Sequence, residues 1–349
     1  MTSVRVRTMC RRIAGRLKDA IGYRSEAGQA MPSSHAAGTE NPLAARFRLI
    51  DEAGLSEVRR SLELHYFGND PRRLDTASGR RDLDIHLHAR LDALRGSTIP
   101  WLNDASPLCG ASVLEIGCGT GSGTVALAEQ GANVIAVDID EISLQVARDR
   151  CRVYGLDVPI VEANAMDVHD IFRGDRFDFI LFTAALEHMT HEERIPAMQR
   201  TWNMLPDGNF WCVTESPNRL WYHDHHTSLL PFFHWLPDDL AFRYSRFSAR
   251  SGFGELYADD ESRANMLHFL RRGRGVSFHE FELAMMPADR LCIVSSKQDF
   301  LRERWASSRM AEHLTSTEHA FQSLLMRIGP QGIHRGFFER DLDLILRKN

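Results

Sequence analysis

Apolar positions between about residues 112 and 214 come in short runs separated by helical periods. Ser112–Ile116 reads as a strand, Thr124–Gln130 as a helix stopping at Gly131, and Asn133–Val137 as a second strand ending in Asp138. The segment beginning at Val161 reads as the end of a third strand, and Phe177–Phe182 as a fourth. Leu205-Pro206-Asp207-Gly208 is a turn into a fifth strand, Asn209–Thr214. Strands alternating with helices predict an α/β, doubly wound, mainly parallel sheet. Upstream, Leu55, Val58 and Leu62 share one helical face, and Leu83, Leu87, Leu91 and Leu94 recur at spacings of 4, 4 and 3, which predicts an N-terminal helical cap. Downstream, Gly275–Leu283 reads as a strand, Leu291–Val294 as a short apolar run, Lys297–Ile328 as mostly helical, and Asp341–Leu346 as a half-buried final strand.

These patterns divide the 349 residues into a tail (1–42), the helical cap (43–106), a core (107–216), an insertion after strand five (217–270) and the completion of the sheet with a helical insertion (271–349). The tail carries seven Arg/Lys within residues 1–24 against Asp19 alone, and Met9, Ile13, Leu17 and Ile21 recur every four residues. It lacks the apolar stretch of a secretory signal. A solvated tail is the expected state, with a basic amphipathic helix touching a membrane surface or a partner as the alternative. A net charge of −5 argues against broad binding to nucleic acid. Six cysteines without a C-x-x-C pair suit a reducing cytoplasm, and no run of 18 apolar residues offers a transmembrane span.

The first strand carries an acid and breaks into a glycine turn, Glu115-Ile-Gly117-Cys118-Gly119-Thr-Gly121-Ser-Gly123, which opens the helix. A phosphate loop needs Gly-Lys-Ser/Thr, which is absent, and the dinucleotide spacing G-x-G-x-x-G/A puts Ser122 or Thr124 where a small third residue belongs. The spacing acid-x-G-x-G-x-G, with Asp138 ending the next strand, resembles that of the class I S-adenosylmethionine (SAM)-dependent methyltransferases. That resemblance implies a Rossmann-like sheet of seven strands whose last two form an antiparallel pair beside strand five. It also implies SAM as cofactor, held at Glu115, Gly117, Cys118, Gly119, Gly121, Asp138, Ile139, Asn164, Ala165 and Met166. Asp138 would take the ribose diol and Asn164 the adenine, where the family more often has Asp.

Methyl transfer needs an acceptor aligned with the sulfonium and often one proton removed. Histidines stand at the two segments expected to face the methyl group: His188 after strand four, and His223, His225 and His226 after strand five. In an extended segment Asp224 and His226 would project together, so His226 oriented by Asp224 ranks first as general base, then His188, then His225. Leu186-Glu187-His188 is similar to a segment of the ubiquinone-pathway O-methyltransferases that supplies divalent-ion ligands. A further Glu of that segment corresponds to Ala184 here, so no metal is expected. His86 and His88, two apart on a helix, are expected at the surface. Eight of the residues from 217 to 247 are Phe, Tyr or Trp, which predicts an aromatic lid and substrate wall or an aromatic mini-core. Arg243, Arg246 and Arg250 would share a helical face, expected as plain solvated surface with an anion-holding stripe as the alternative. The expected reaction is O-methylation of a small, bulky or anionic molecule. N-methylation, methylation of RNA or protein, and SAM binding without catalysis are the alternatives.

Overall fold

A computed structural model describes residues 46–250, 253–257, 262–303 and 315–349; the tail lies outside them. The described residues build one seven-stranded sheet: β1 Ser112–Ile116, β2 Asn133–Asp138, β3 Ile160–Glu162, β4 Phe179–Thr183, β5 Phe210–Pro217, β6 Cys292–Ser296 and β7 Asp341–Arg347. Their spatial order is β3-β2-β1-β4-β5-β7-β6, with β1 to β5 parallel and β7 antiparallel to both β5 and β6. The order reverses at β1, which pairs β2 on one side and β4 on the other. The carboxyl ends of β1 and β4 therefore open together, with Ile116 opposite Phe182, where doubly wound sheets bind ligands.

Alternation along the strands sorts the two cores. Leu114, Ile116, Ile180, Phe182, Trp211 and Val213 pack on one face, and Val113, Phe179, Leu181, Cys212 and Ile345 on the other. Both faces are buried, as parallel strands between helical layers require. Leu114→Ala in such a site costs about 2–5 kcal/mol. The N-terminal cap holds a helix, Glu52–Ser61, that runs into a π-helical turn, Leu62–Tyr66, and a helical run from Ala77 to Ala105 in which two more π-helical turns, Ile85–Ala89 and Leu94–Thr98, alternate with α-helix.

One predicted strand is a helix. Phe278–Ala284 is helical because Ser277 and Glu280 form a capping box: each side chain takes up the other residue's free backbone N–H. The apolar residues of 275–283 satisfy both periods, and the cap decides for the helix. The sixth strand is instead the short apolar run ending at Ser296.

The insertion has a core of its own, where Leu230, Phe233, Ala241, Phe242, Phe253, Tyr257 and Phe269 pack together. Phe232, Trp235, Tyr244 and Phe247 stay exposed, so only part of the aromatic run packs into this core. Arg243, Arg246 and Arg250 do not form a stripe. The helix Asp238–Tyr244 gives way to the tighter turn Ser245–Phe247, and Arg250 is buried while Arg243 and Arg246 are exposed.

Candidate active site

The glycine turn leaves β1 through three left-handed residues, Gly117 (φ 88°), Gly119 (φ 52°) and Gly121 (φ 81°). Two of them are also fixed by close packing. A Cβ at Gly117 would lie 2.7 Å from the Thr183 carbonyl oxygen and 2.8 Å from Ala185 Cβ, and one at Gly121 would lie 2.9 Å from Ala147. A Cβ at Gly119 meets no protein atom within 4 Å. Asp138 holds the turn from the next strand: it accepts from the Gly119 N–H (2.8 Å) and the Asp140 N–H (3.0 Å). Burial pushes its carboxyl above the usual range.

Glu115 stands behind this turn. Its Oε2 accepts from Thr124 Oγ1 (2.6 Å), and its Oε1 occupies the space a Cβ at Gly123 would need, 2.1 Å away. Gly123 thus belongs to the motif for a reason the spacing alone did not supply. Burial raises the Glu115 carboxyl to about 7. Exposed Ile139 follows Asp138, and across the sheet edge Asn164 Oδ1 caps its own turn by accepting from the Met166 N–H (3.0 Å). Ala165 and Met166 are half-buried beside it. Cys118 is buried.

The cap reaches the same turn. His86, expected at the surface, is buried with Nδ1 2.9 Å from Thr120 Oγ1. Arg150 secures the contact by donating to the carbonyls of His86 (2.6 Å) and Thr120 (2.9 Å). The π-turn at Ile85–Ala89 shifts the helical phase, so His86 faces inward.

At the end of β4, Ala184 takes a left-handed conformation (φ 46°) and turns the chain into a 3₁₀ turn, Leu186–His188. Glu187 is fully buried; its Oε2 accepts from Ser216 Oγ at the end of β5 (2.9 Å), while Oε1 has no hydrogen-bond partner. His188 Nε2 lies 3.7 Å and His226 Nε2 3.8 Å from that oxygen. Burial lowers His188 to about 4 and His226 to about 3, so both imidazoles are neutral near pH 7. Burial also raises Glu187 to about 7.

Asp224 does not face the His226 ring. Its carboxylate accepts from the backbone N–H groups of His226 (2.9 Å), Thr227 (2.7 Å) and Ser228 (2.6 Å) and from Ser228 Oγ (2.8 Å). It also lies 3.3 Å from Nε2 of buried His234. His234 Nδ1 accepts from the Gly275 N–H (3.2 Å), so its proton sits on Nε2, towards Asp224. The loop is a tight turn rather than extended chain, which is why the i, i+2 rule fails. His225 points elsewhere: it is exposed and its ring lies 4.4 Å from that of His223. Of the predicted set, the fold joins His188 and His226, and it adds Glu187 in place of Asp224.

The segment after the helix Arg263–Leu270 completes the arrangement. The Arg271 carbonyl accepts from His188 Nδ1 (3.1 Å), the Gly273 carbonyl accepts from Thr227 Oγ1 (2.9 Å), and the Arg274 N–H donates to the Glu187 carbonyl (2.9 Å). A Cβ at Gly273 (φ 126°) would lie 2.9 Å from His226 Nδ1. Contacts across some 83 residues of sequence carry no local signal; the glycine at 273 is the one trace in the chain.

Comparison with known proteins agrees with the cofactor half. Residues 113–208 match the family described as a methyltransferase domain. A ubiquinone biosynthesis O-methyltransferase of Pseudomonas aeruginosa (strain UCBPP-PA14) is 34% identical over 91 residues, 26% of this chain and 39% of that protein. A cypemycin N-terminal methyltransferase of Streptomyces sp is 34% identical over 95 residues, 27% of this chain and 37% of that protein. The chain thus spans about two fifths of the length of these curated relatives. Among solved structures, the magnesium protoporphyrin IX methyltransferase of Synechocystis PCC 6803 with bound SAM is 20% identical, covering 48% of this chain and 77% of that one at a TM-score of 0.35.

Proposed function

From the premise that residues 113–208 are a class I SAM-dependent methyltransferase domain, we propose that the protein transfers a methyl group from SAM to a hydroxyl of a small molecule. The observation that carries this reading is one shared sheet edge. The glycine turn and Asp138 lie at the ends of β1 and β2, and the Glu187–His188–His226 cluster at the ends of β4 and β5. In this reading Asp138 takes the ribose diol, Gly119 gives the cofactor backbone access, and Ile139, Asn164, Ala165 and Met166 enclose the adenine. The acceptor's proton leaves at the cluster. In the ion-free protein His226 takes it on the neutral Nε2, with Glu187 rather than Asp224 as the facing carboxylate. Asp224 bonds the backbone N–H of His226 and not its ring.

Oxygen as the methyl acceptor draws on the name of the Pseudomonas relative and on the need for a proton acceptor. The Streptomyces relative, named for N-terminal methylation, keeps amine acceptors as the second reading. A reducing, cytoplasmic setting fits the free thiols of Cys109, Cys118, Cys151, Cys212 and Cys292. Calorimetry with SAM, followed by detection of S-adenosylhomocysteine over a panel of hydroxylated and amino acceptors, tests the reading. Turnover confined to amines would replace oxygen by nitrogen; tight NADH binding without SAM binding would overturn the methyltransferase reading.

A further inference from the structure

Three lone pairs converge at the reaction edge. The Arg271 carbonyl can only accept, so His188 Nδ1 carries a proton there and Nε2 is the atom left to face the cluster. Thr227 Oγ1 spends its proton on the Gly273 carbonyl and therefore accepts from His226 Nδ1 at 3.1 Å, which puts that ring's proton on Nδ1 as well. Both Nε2 atoms face Glu187 Oε1 at 3.7 and 3.8 Å, beyond hydrogen-bond distance, and that oxygen is itself fully buried and without a partner. One donor atom from each of the three residues lies within 4.8 Å of the others. Three facing donor atoms with no hydrogen bond among them form a set that a cation can fill.

We propose that Glu187 Oε1, His188 Nε2 and His226 Nε2 bind a first-row divalent transition-metal ion, with the insertion supplying His226. Two imidazoles and one carboxylate suit Mn²⁺, Fe²⁺, Co²⁺ or Zn²⁺ better than Mg²⁺ or Ca²⁺, which take oxygen donors. Tetrahedral ligands about 2.1 Å from an ion stand about 3.4 Å apart. The two carboxylate–imidazole distances, 3.7 and 3.8 Å, need contractions of a few tenths of an ångström, and the two imidazoles, whose donors lie within 4.8 Å, close around the ion by side-chain rotation. The supporting shell is also in place: Nδ1 of each imidazole donates to a fixed oxygen, which orients Nε2, and Ser216 holds the other carboxylate oxygen. Three protein ligands leave coordination positions open for an acceptor oxygen, whose proton becomes more acidic on binding the ion. This purpose rests on the methyl-transfer reading; the ion site itself does not.

Co²⁺ titrated into chelator-stripped full-length protein and followed by its visible absorption is the test. The expected result is one tightly bound equivalent, with affinity at least tenfold weaker in His226→Ala and in Glu187→Gln. SAM affinity by calorimetry and the thermal melt should stay near wild type in both variants. Wild-type protein that binds no Co²⁺ overturns the proposal whatever the variants do, as does a folded His226→Ala protein that binds Co²⁺ as tightly as wild type. If His226→Ala does not fold, Glu187→Gln, which preserves volume and the Ser216 contact, carries the same comparison. Co²⁺ binding at these residues without any SAM binding would remove the methyl-transfer reading and leave the ion site standing.

Discussion

Glu115 and Glu187 are both buried carboxylates at the carboxyl edge of the sheet, both raised to about 7 by burial, and they differ in what faces their oxygens. Around Glu115 the space is closed: Thr124 donates to one oxygen and Gly123 is bare to admit the other. Around Glu187 one oxygen is satisfied by Ser216 and the other looks onto two imidazole lone pairs. The first acid completes the glycine turn after β1. The second is left incomplete by the protein, as expected of a group whose partner arrives from outside. Changes in the cofactor half should therefore act on folding and SAM affinity, and changes at the reaction edge on turnover.

The largest expected effect lies at the edge. His226→Ala should lower kcat by about 10²–10⁴-fold, the range for loss of a group handling the acceptor's proton, while SAM affinity stays near wild type. Steady-state kinetics beside SAM calorimetry would check it. Unchanged turnover would make the cluster structural; an equal loss of SAM binding would erase the contrast between the two regions.

Next come the glycines, which should separate folding from binding within the cofactor half itself. Gly117→Val puts a side chain against the Thr183 carbonyl at a left-handed position and should destabilise by about 2–5 kcal/mol, from backbone strain plus overpacking. Gly119→Ala meets open space and should cost only the about 1–2 kcal/mol of a left-handed alanine, yet weaken SAM binding markedly. Denaturant melts paired with calorimetry would show it, and a Gly119→Ala protein with wild-type SAM affinity would remove that glycine from the cofactor contact. Asp138→Ala should weaken SAM binding by about 1.5–3 kcal/mol, the range for hydrogen bonds to a charged group. Part of that loss comes from freeing the Gly119 N–H, so the melt should also move.

How much of this was legible in the chain follows the same division. The cofactor half is written locally: strand, glycine turn, helix and acid fall within about 25 residues, and β1 has the bounds its pattern predicts. The reaction edge is written across long separations. His188 and His226 could be picked by residue type, but their shared partner Glu187 and their supports at Arg271 and Gly273 arise only when the insertion folds back on the ends of β4 and β5. Asp224 misled because its neighbours curl into a turn around its carboxylate, and His86 because a π-turn changes the phase of its helix.

The last expected effect is spread over pH and isolates the closed acid. The Glu115 carboxyl rises from an ordinary unfolded value near 4.3 to about 7 in the folded protein. A group raised on folding contributes its full stability below the unfolded value and loses it as pH climbs through the folded one. Relative to Glu115→Gln, which cannot titrate, wild type should therefore lose up to about 1.4 kcal/mol of stability per pH unit between about pH 4.3 and 7, one proton's worth. Urea melts of both proteins across that window measure the difference directly. Because Thr124 and Gly123 enclose this carboxylate, the difference should be the same with and without Co²⁺. A difference that shifted on adding Co²⁺ would mean that Glu115 communicates with the reaction edge, and the separation between the two acids would fail.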